Sequence, residues 1–500
     1  MGKGSEIGRS RRAYALGAVI VAALACVGAT TAGVPGRWDV VVQGTDVPGS
    51  SASEVGLART PDGVLHVAWK ERTGPLTEAI RHRTVSPAGR VGPVSTIASG
   101  WASLSDPELV VAAGRVRAYF GGQRTTDPTD PLTGLLWASA PVSGGPWTPP
   151  AVIHARNNTG GARNPSVAVG RDGTDYQAWY GASEIYVHRG LDPAAPDHLF
   201  TASPALTEFG PTVVADAAGR VWVSWCGFGG SGGGLFVQRA DPASGAPIGG
   251  PRKLPGSTTP YGGTQHSTCN LERTAARRTP MVARVGGGVF IAGSAGYPAL
   301  SRVHVWRIDP SGQIPAGSFV VASAAAFGHA TPMLAAAPDG RVWVAWLETR
   351  PGRPVIAARR SNRLGTAWGE PVRVSAPGRW LPGALNISAQ RGRLDVLGLM
   401  GSVGAADSVQ HTQLLPGLTL KRTGTTRRPD GSVVVRFRVE DAGDPVAGAS
   451  VRIPGSLSTT EATAGDGVAV VWLPAGTART VRATAAKAGY VPHTIGFRCC

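Results

Sequence analysis

Pro332-Met-Leu-Ala-Ala-Ala-Pro-Asp-Gly-Arg-Val-Trp-Val-Ala-Trp346 decides the fold. The stretch is an apolar run, a tight turn at Asp339-Gly340, and a second run, Val342-Trp-Val-Ala-Trp346, that alternates with the period of two expected of a strand. The same design recurs along the chain as Val55–Trp69, Pro107–Phe120, Pro165–Trp179, Pro211–Trp225, Pro280–Gly293 and, in its most degenerate form, Ala384–Gly398. A spacing of roughly 50 residues is the period of propeller blades. Two more strands follow in most copies, as in Glu78–Ser86 and Gly92–Ile97, and four strands make a blade.

Seven copies predict an all-β, seven-bladed β-propeller over residues 37–417, with a six-bladed ring as the alternative. The last copy lacks a fourth strand, while Arg37-Trp-Asp-Val-Val-Val-Gln43 is a strand with no neighbour in sequence. The second is expected to complete the first, because such closure removes exposed sheet edges. Trp69, Trp179, Trp225 and Trp346 recur in register and read as core staples. Asp62, Asp172 and Asp339 read as turn formers.

The strand spacing changes at about Leu418. Ser432–Glu440, Gly443–Ile453, Gly467–Leu473 and Thr480–Ala485 are short alternating segments that predict a small β-sandwich over residues 418–500.

Composition agrees with many strands and turns: among 500 residues there are 70 Gly, 40 Pro and 14 Trp against 10 Phe. The net charge of +17 invites a polyanionic partner. The excess is almost all arginine, scattered in pairs such as Arg359-Arg360 without the interleaved aromatics that base stacking needs, so nucleic acid is not an expected partner. Lys3, Arg9, Arg11 and Arg12 precede the apolar run Ala18–Val27 and small residues reach Ala32, the pattern of a signal peptide over residues 1–32. The expected location is extracellular, secreted or at the cell surface, with no membrane span after signal removal. Cys226, Cys269, Cys499 and Cys500 remain in the mature part, and Cys226 with Cys269 are close enough to staple one insertion. Cysteine and histidine spacing predicts no metal site, and no cofactor is expected.

In a propeller the innermost strands line a central channel, so residues just ahead of each copy's opening proline converge at one mouth. By position these are Glu54, Asp106, Arg163, Asn164, Glu208, Arg277, Arg278, His329 and Thr331, with Arg379 and Trp380 beside the last copy. Carboxylates, arginines and an aromatic together suit a charged sugar or a peptide, so the expected ligand is an extracellular glycan or protein. Residues leading into a strand are also polar simply where they meet solvent. The insertion Tyr261–His266 is placed to lie over the mouth.

The Pro-led first strand, the Gly turn and the phrase Ser361-Asn-Arg-Leu-Gly-Thr-Ala-Trp-Gly-Glu-Pro371 resemble the sialidase-type, BNR-repeat propeller superfamily. In that phrase Arg363 stands where the family's Asp-box carries Asp, and the Trp is displaced. The resemblance implies three arginines gripping a carboxylate, a Tyr nucleophile activated by Glu, and an Asp acid/base. Tyr261 with Glu208, and Asp106, are the candidates for those roles; the family's Arg-Ile-Pro motif is replaced by Ser53-Glu54-Val55. Asp444–Arg452, Ala464-Gly-Asp-Gly467, Leu473–Gly476 and Lys487–Tyr490 resemble bacterial immunoglobulin-like and carboxypeptidase-regulatory-like modules, which implies a spacer or adhesive accessory. The function expected from all of this is noncatalytic binding at the propeller mouth, with a divergent sialidase-like glycoside hydrolase as the alternative.

Overall fold

The computed structural model describes residues 36–498 except 43–54, 75–76, 106, 128, 156–162, 182, 230–231, 262–263, 268–277, 297–298, 315–316, 324–327, 351–352, 378, 390–391, 403–404, 458–460 and 479. The expected signal segment, Glu54, Asp106, Arg277, Cys269, Cys499 and Cys500 lie outside the described residues. No helix occurs among the described residues.

Every sequence copy forms the inner half of an antiparallel sheet. Along the chain the sheets occupy residues 56–101, 103–155, 163–200, 207–253, 281–323, 328–375 and 379–414, and each runs outward as a meander from its first strand. Asp39–Val42 adds to Ala405–Leu414, with Asp39 opposite His411, so the start of the described chain supplies the outer strand of the last sheet. The first strands lie side by side in a circuit: Gly56–Arg59 against Glu108–Ala112, then Arg163–Val169, Thr207–Ala215, Met281–Ala283, Gly328–Ala336, Arg379–Ser388, and back to Gly56–Arg59. That circuit is a β-propeller.

Apolar residues on facing sheet surfaces fill the seams, each seam with its own core. Trp69 is buried between the last sheet and the first, Trp179 between the second and third, Trp225 between the third and fourth, and Trp346 between the fifth and sixth. Burying one such side chain is worth about 1.5–3 kcal/mol, so these tryptophans are staples of separate seams. Buried aspartates add polar ties at three seams. Asp216 Oδ2 accepts from Gly288 N at 2.8 Å, Arg220 Nε at 3.0 Å and Trp222 Nε1 at 3.1 Å, joining the fourth sheet to the fifth. Asp175 takes the guanidinium of Arg117 and the hydroxyl of Tyr119 between the second sheet and the third, and Asp395 takes Arg59 between the last sheet and the first.

One expectation needs correcting in detail. Glu108 and Met281 directly follow their prolines, but Pro165, Pro211, Pro332 and Pro382 do not open their strands. Pairing begins two or more residues earlier and the register slips at the proline, between Arg163 and Ser166, Phe209 and Thr212, Ala330 and Met333, and Trp380 and Leu385. Proline has no N–H for the ladder and is confined to such bulges. The residue before it is left-handed at Asn164 (φ 49°) and Gly210 (φ 61°), a conformation that Gly and Asn adopt most readily. Gly210→Ala is therefore expected to cost about 1–2 kcal/mol, read as a lower urea midpoint at unchanged slope; an unchanged midpoint would show that the bulge tolerates a Cβ.

Beyond Leu418 two sheets share a separate core, in which Val435 and Phe437 from one meet Val451, Ala483 and Ala485 from the other. This unit is fastened to the sixth propeller sheet. Arg341 and Arg360, both buried, converge on Asp441; Arg341 Nη2 also reaches Asp444 at 2.7 Å, and Arg360 donates to Tyr490 Oη at 3.3 Å. In the Asp-box-like phrase, Asn362 Oδ1 accepts from Thr366 N at 2.8 Å and so holds the turn, while Arg363 N donates to Asp444 Oδ2 at 3.0 Å.

Candidate functional site

The bulges carry the predicted mouth residues on the inner strands themselves, at the end where each strand begins. Arg163 and Asn164 start the third sheet, Glu208 the fourth, His329 and Thr331 the sixth, and Arg379 and Trp380 the seventh. The seven first strands bring these positions to one end of the channel. Arg379 pairs with Gly401 and Trp380 with Met400, and Asn164 is buried.

Arg278 is the predicted residue whose placement says most. It precedes Met281–Ala283, and its guanidinium forms an ion pair with Glu108 on the first strand of the second sheet. Those two strands are not neighbours, since Glu108–Ala112 sits between Gly56–Arg59 and Arg163–Val169. The ion pair therefore spans the interior of the ring. Its side chains are only 9% and 19% exposed, so the pair is largely withdrawn from solvent. Thr279 N donates to Gly210 O at 2.8 Å and fixes the backbone from which Arg278 projects.

Glu208 is buried and differently engaged. Its Oε1 accepts from Ala202 N at 2.6 Å and Trp225 Nε1 at 3.1 Å, which pins the loop leading into its own sheet. Burial pushes the carboxyl above its ordinary value, and the hydrogen bonds from Ala202 and Trp225 only partly oppose this. Oε2 is buried without a hydrogen-bond partner among the described residues. Tyr261 ends the hairpin strand Thr258–Tyr261, which pairs with Thr264–Ser267. That second strand lies against Val221–Phe228 and Gly234–Ala240, so the insertion stands on the sheet that carries Glu208. Cys226, on the same sheet, is buried and disulfide-bonded.

Two residues at this end were not singled out by the sequence. Glu108 lies two positions from the predicted Asp106 and directly follows Pro107, on the other side of the proline from the residues ahead of each strand. Phe228 ends Val221–Phe228 opposite Thr207, is 45% exposed, and precedes Gly229 at φ 120°. An aromatic inside the run Gly227-Phe-Gly-Gly-Ser-Gly-Gly-Gly234 was the signal for it. A half-exposed ring next to Gly229 presents an apolar face at this end of the sheet.

No family model matches the chain, and no curated protein matches it. Among solved structures, a protein of unknown function from Dyadobacter fermentans superposes at 13% identity with a TM-score of 0.43, over 62% of this chain and 93% of that one. The polysaccharide lyase Uly1 gives 10% identity and 0.44 over 73% and 90%. A GH43 endo-arabinanase from Bacillus licheniformis gives 14% and 0.31 over 64% and 98%. Likenesses this distant bear on neither activity nor ligand.

Proposed function

We propose that the protein is exported by a signal peptide over residues 1–32 and acts outside the cell as a noncatalytic binding protein. In this reading residues 37–417 form a seven-bladed, sialidase-like propeller whose mouth holds a glycan or a protein segment, and residues 418–500 form an immunoglobulin-like accessory. A Cys226–Cys269 disulfide secures the insertion at the rim.

The observation that carries the reading is the Glu108–Arg278 pair across the ring. A charge pair spanning the ring sets both signs of charge where a ligand entering the mouth would meet them, and the partner left behind when one is removed is costly to bury. Phe228 supplies an apolar wall for a sugar face or an aliphatic side chain. Arrays of glycans and proteins probed with the mature chain should yield a ligand whose affinity falls at least about tenfold in Arg278→Ala, the usual effect of removing a charged hydrogen-bond donor. A ligand bound equally well by that variant would place binding elsewhere.

One observation favours the divergent glycoside hydrolase as a second reading: a general acid needs a carboxyl raised above its ordinary value, and burial raises Glu208. Turnover of fluorogenic sialosides or neutral glycosides, lost in Glu208→Gln with binding retained, would establish it; absence of turnover leaves the binding reading.

A further inference from the structure

We infer that the outer face of the C-terminal sheet built on Val433–Asp441 is a docking surface for an acidic polysaccharide, separate from the propeller mouth. In this sheet Val433–Asp441 is flanked by Thr419–Arg427 on one side and Val468–Leu473 on the other. Val433, Val435, Phe437 and Val439 point into the core, so Arg436 and Arg438 point out, one repeat apart on the same face. Lys421 stands opposite Arg438, and Trp472 stands opposite Val434. Arg428 lies flat over Trp472, its guanidinium carbon 3.8 Å from the ring centroid.

Four cations thus share one face with an aromatic ring. The carboxylate among them is Glu440, already engaged by Lys421 at 2.7 Å and Arg438 at 3.0 Å; Asp430 and Asp466 sit at the turns, where each caps the backbone N–H two residues on. Lys421 and Arg438 remain 59% and 44% exposed despite their ion pairs, and Arg436 is exposed as well. The unit's contact with the propeller runs through Asp441, Asp444 and Tyr490, which leaves these arginines in solvent.

The occupant follows from charge and shape. A flat sheet with cations in a row suits an extended anionic polymer. Carboxylates accept bidentate hydrogen bonds from arginine, and Arg428 is held at one end of the row by its stacking on Trp472. Single-stranded nucleic acid would call for successive open stacking platforms, and the one aromatic described on this face, Trp472, is covered by Arg428. The surface differs from the scattered arginines of the propeller in being arranged on adjacent strands in register.

The test uses the full mature chain and polygalacturonate, with its methyl ester as the uncharged counterpart and single-stranded DNA as a second polyanion. Wild-type protein should bind polygalacturonate and not the ester, with affinity falling as salt rises. Arg436→Gln with Arg438→Gln should weaken that binding at least tenfold while leaving the thermal midpoint and any array ligand of the mouth unchanged. Arg90→Gln with Arg171→Gln removes the same charge from two exposed propeller sites and should weaken it less than twofold. Equal losses in the two double variants would reduce the effect to net charge and overturn the inference. So would DNA binding as tight as polygalacturonate binding, or no binding to polygalacturonate at low salt.

Discussion

Asp395→Ala is expected to lower stability by about 3–5 kcal/mol, the cost of stranding the partner of a buried ion pair. Asp395 lies in the seam where the last sheet meets the first. Arg59 approaches it with two donors, Nε to Oδ2 at 2.7 Å and Nη2 to Oδ1 at 2.5 Å, and sends Nη1 to Gly63 O at 2.6 Å. His411 Nε2 at 3.0 Å and Gln413 Nε2 at 2.9 Å converge on the same carboxylate. His411 is also opposite Asp39, so this cluster backs the strand that closes the ring. Removing the carboxylate leaves a guanidinium, an imidazole and an amide facing an apolar void, and weakens the hold on Asp39–Val42. Urea unfolding followed by tryptophan fluorescence reads the loss. Arg59→Met combined with Asp395→Leu should recover most of it, because replacing both members of a buried pair by apolar groups is often neutral. A single-variant loss below about 1 kcal/mol would mean that water reaches the seam and that the pair does not hold the ring closed.

The sign of its pH dependence follows from the same contacts. Burial acts to raise the Asp395 carboxyl, but the His411 hydrogen bond and the Arg59 charge outweigh it and hold the group below its ordinary value. With the folded value below the unfolded one, the stabilisation is complete above the ordinary carboxylate range and is lost as pH falls through the folded value. The ring closure should accordingly survive mild acid and fail only in strong acid.

The sequence exposed what is local and periodic, and concealed what depends on closure. Val342–Trp346 could be read as a strand from its own alternation, and Asp172 and Asp339 as turn formers; their Oδ1 atoms do accept from Thr174 N at 3.0 Å and Arg341 N at 3.1 Å. The unmatched Arg37–Gln43 could be assigned because a missing outer strand had to be supplied from somewhere, and Asp39–Val42 supplies it. Glu108 and Arg278 are 170 residues apart, and no sequence pattern links them until the ring brings opposite first strands face to face. Asp216 and Asp395 hide for a similar reason, since one reads as a turn residue and the other as a charge on an alternating strand. Asn164 and Gly210 did carry a local signal: Gly or Asn directly before proline inside an apolar run marks a bulge. The fastening of the C-terminal unit was also illegible, because Arg341 and Arg360 look like ordinary strand-edge arginines until Asp441 is folded against them.

Between pH 7 and pH 5 the protein is expected to lose about 4 kcal/mol of stability through a pair of buried histidines. His66 and His82 stand on adjacent strands of the first sheet, stacked with ring centroids 5.2 Å apart, and Nδ1 of the first is 3.0 Å from Nε2 of the second. One ring donates and the other accepts, so that bond requires a lone pair on one of the two facing nitrogens. His82 Nδ1 lies 3.0 Å from Ser95 Oγ, and Trp147 packs edge-on against the His82 ring. Both imidazoles are buried, and His66 Nε2 has no hydrogen-bond partner among the described residues, so a proton there would meet apolar surroundings. Burial pushes His66 down to about 4, opposed by the charge of Asp62, and pushes His82 down to about 3, with the charge of His66 acting in the same direction. Well above pH 6.5 neither folded nor unfolded chain is protonated at these rings and the fold keeps its full stability. As pH falls below that value the unfolded chain takes up protons that the folded one refuses, at up to about 1.4 kcal/mol per pH unit for each ring. At pH 5 this amounts to about 2 kcal/mol per histidine. His304, likewise lowered by burial and then by Arg302, adds in the same sense. Urea midpoints measured from pH 8 to pH 4.5 should fall through this window, and His82→Gln should flatten the fall by about half while lowering the midpoint at pH 8. A wild-type profile that is level between pH 7 and pH 5 would show that the seam opens enough to hydrate and charge the pair within the folded state.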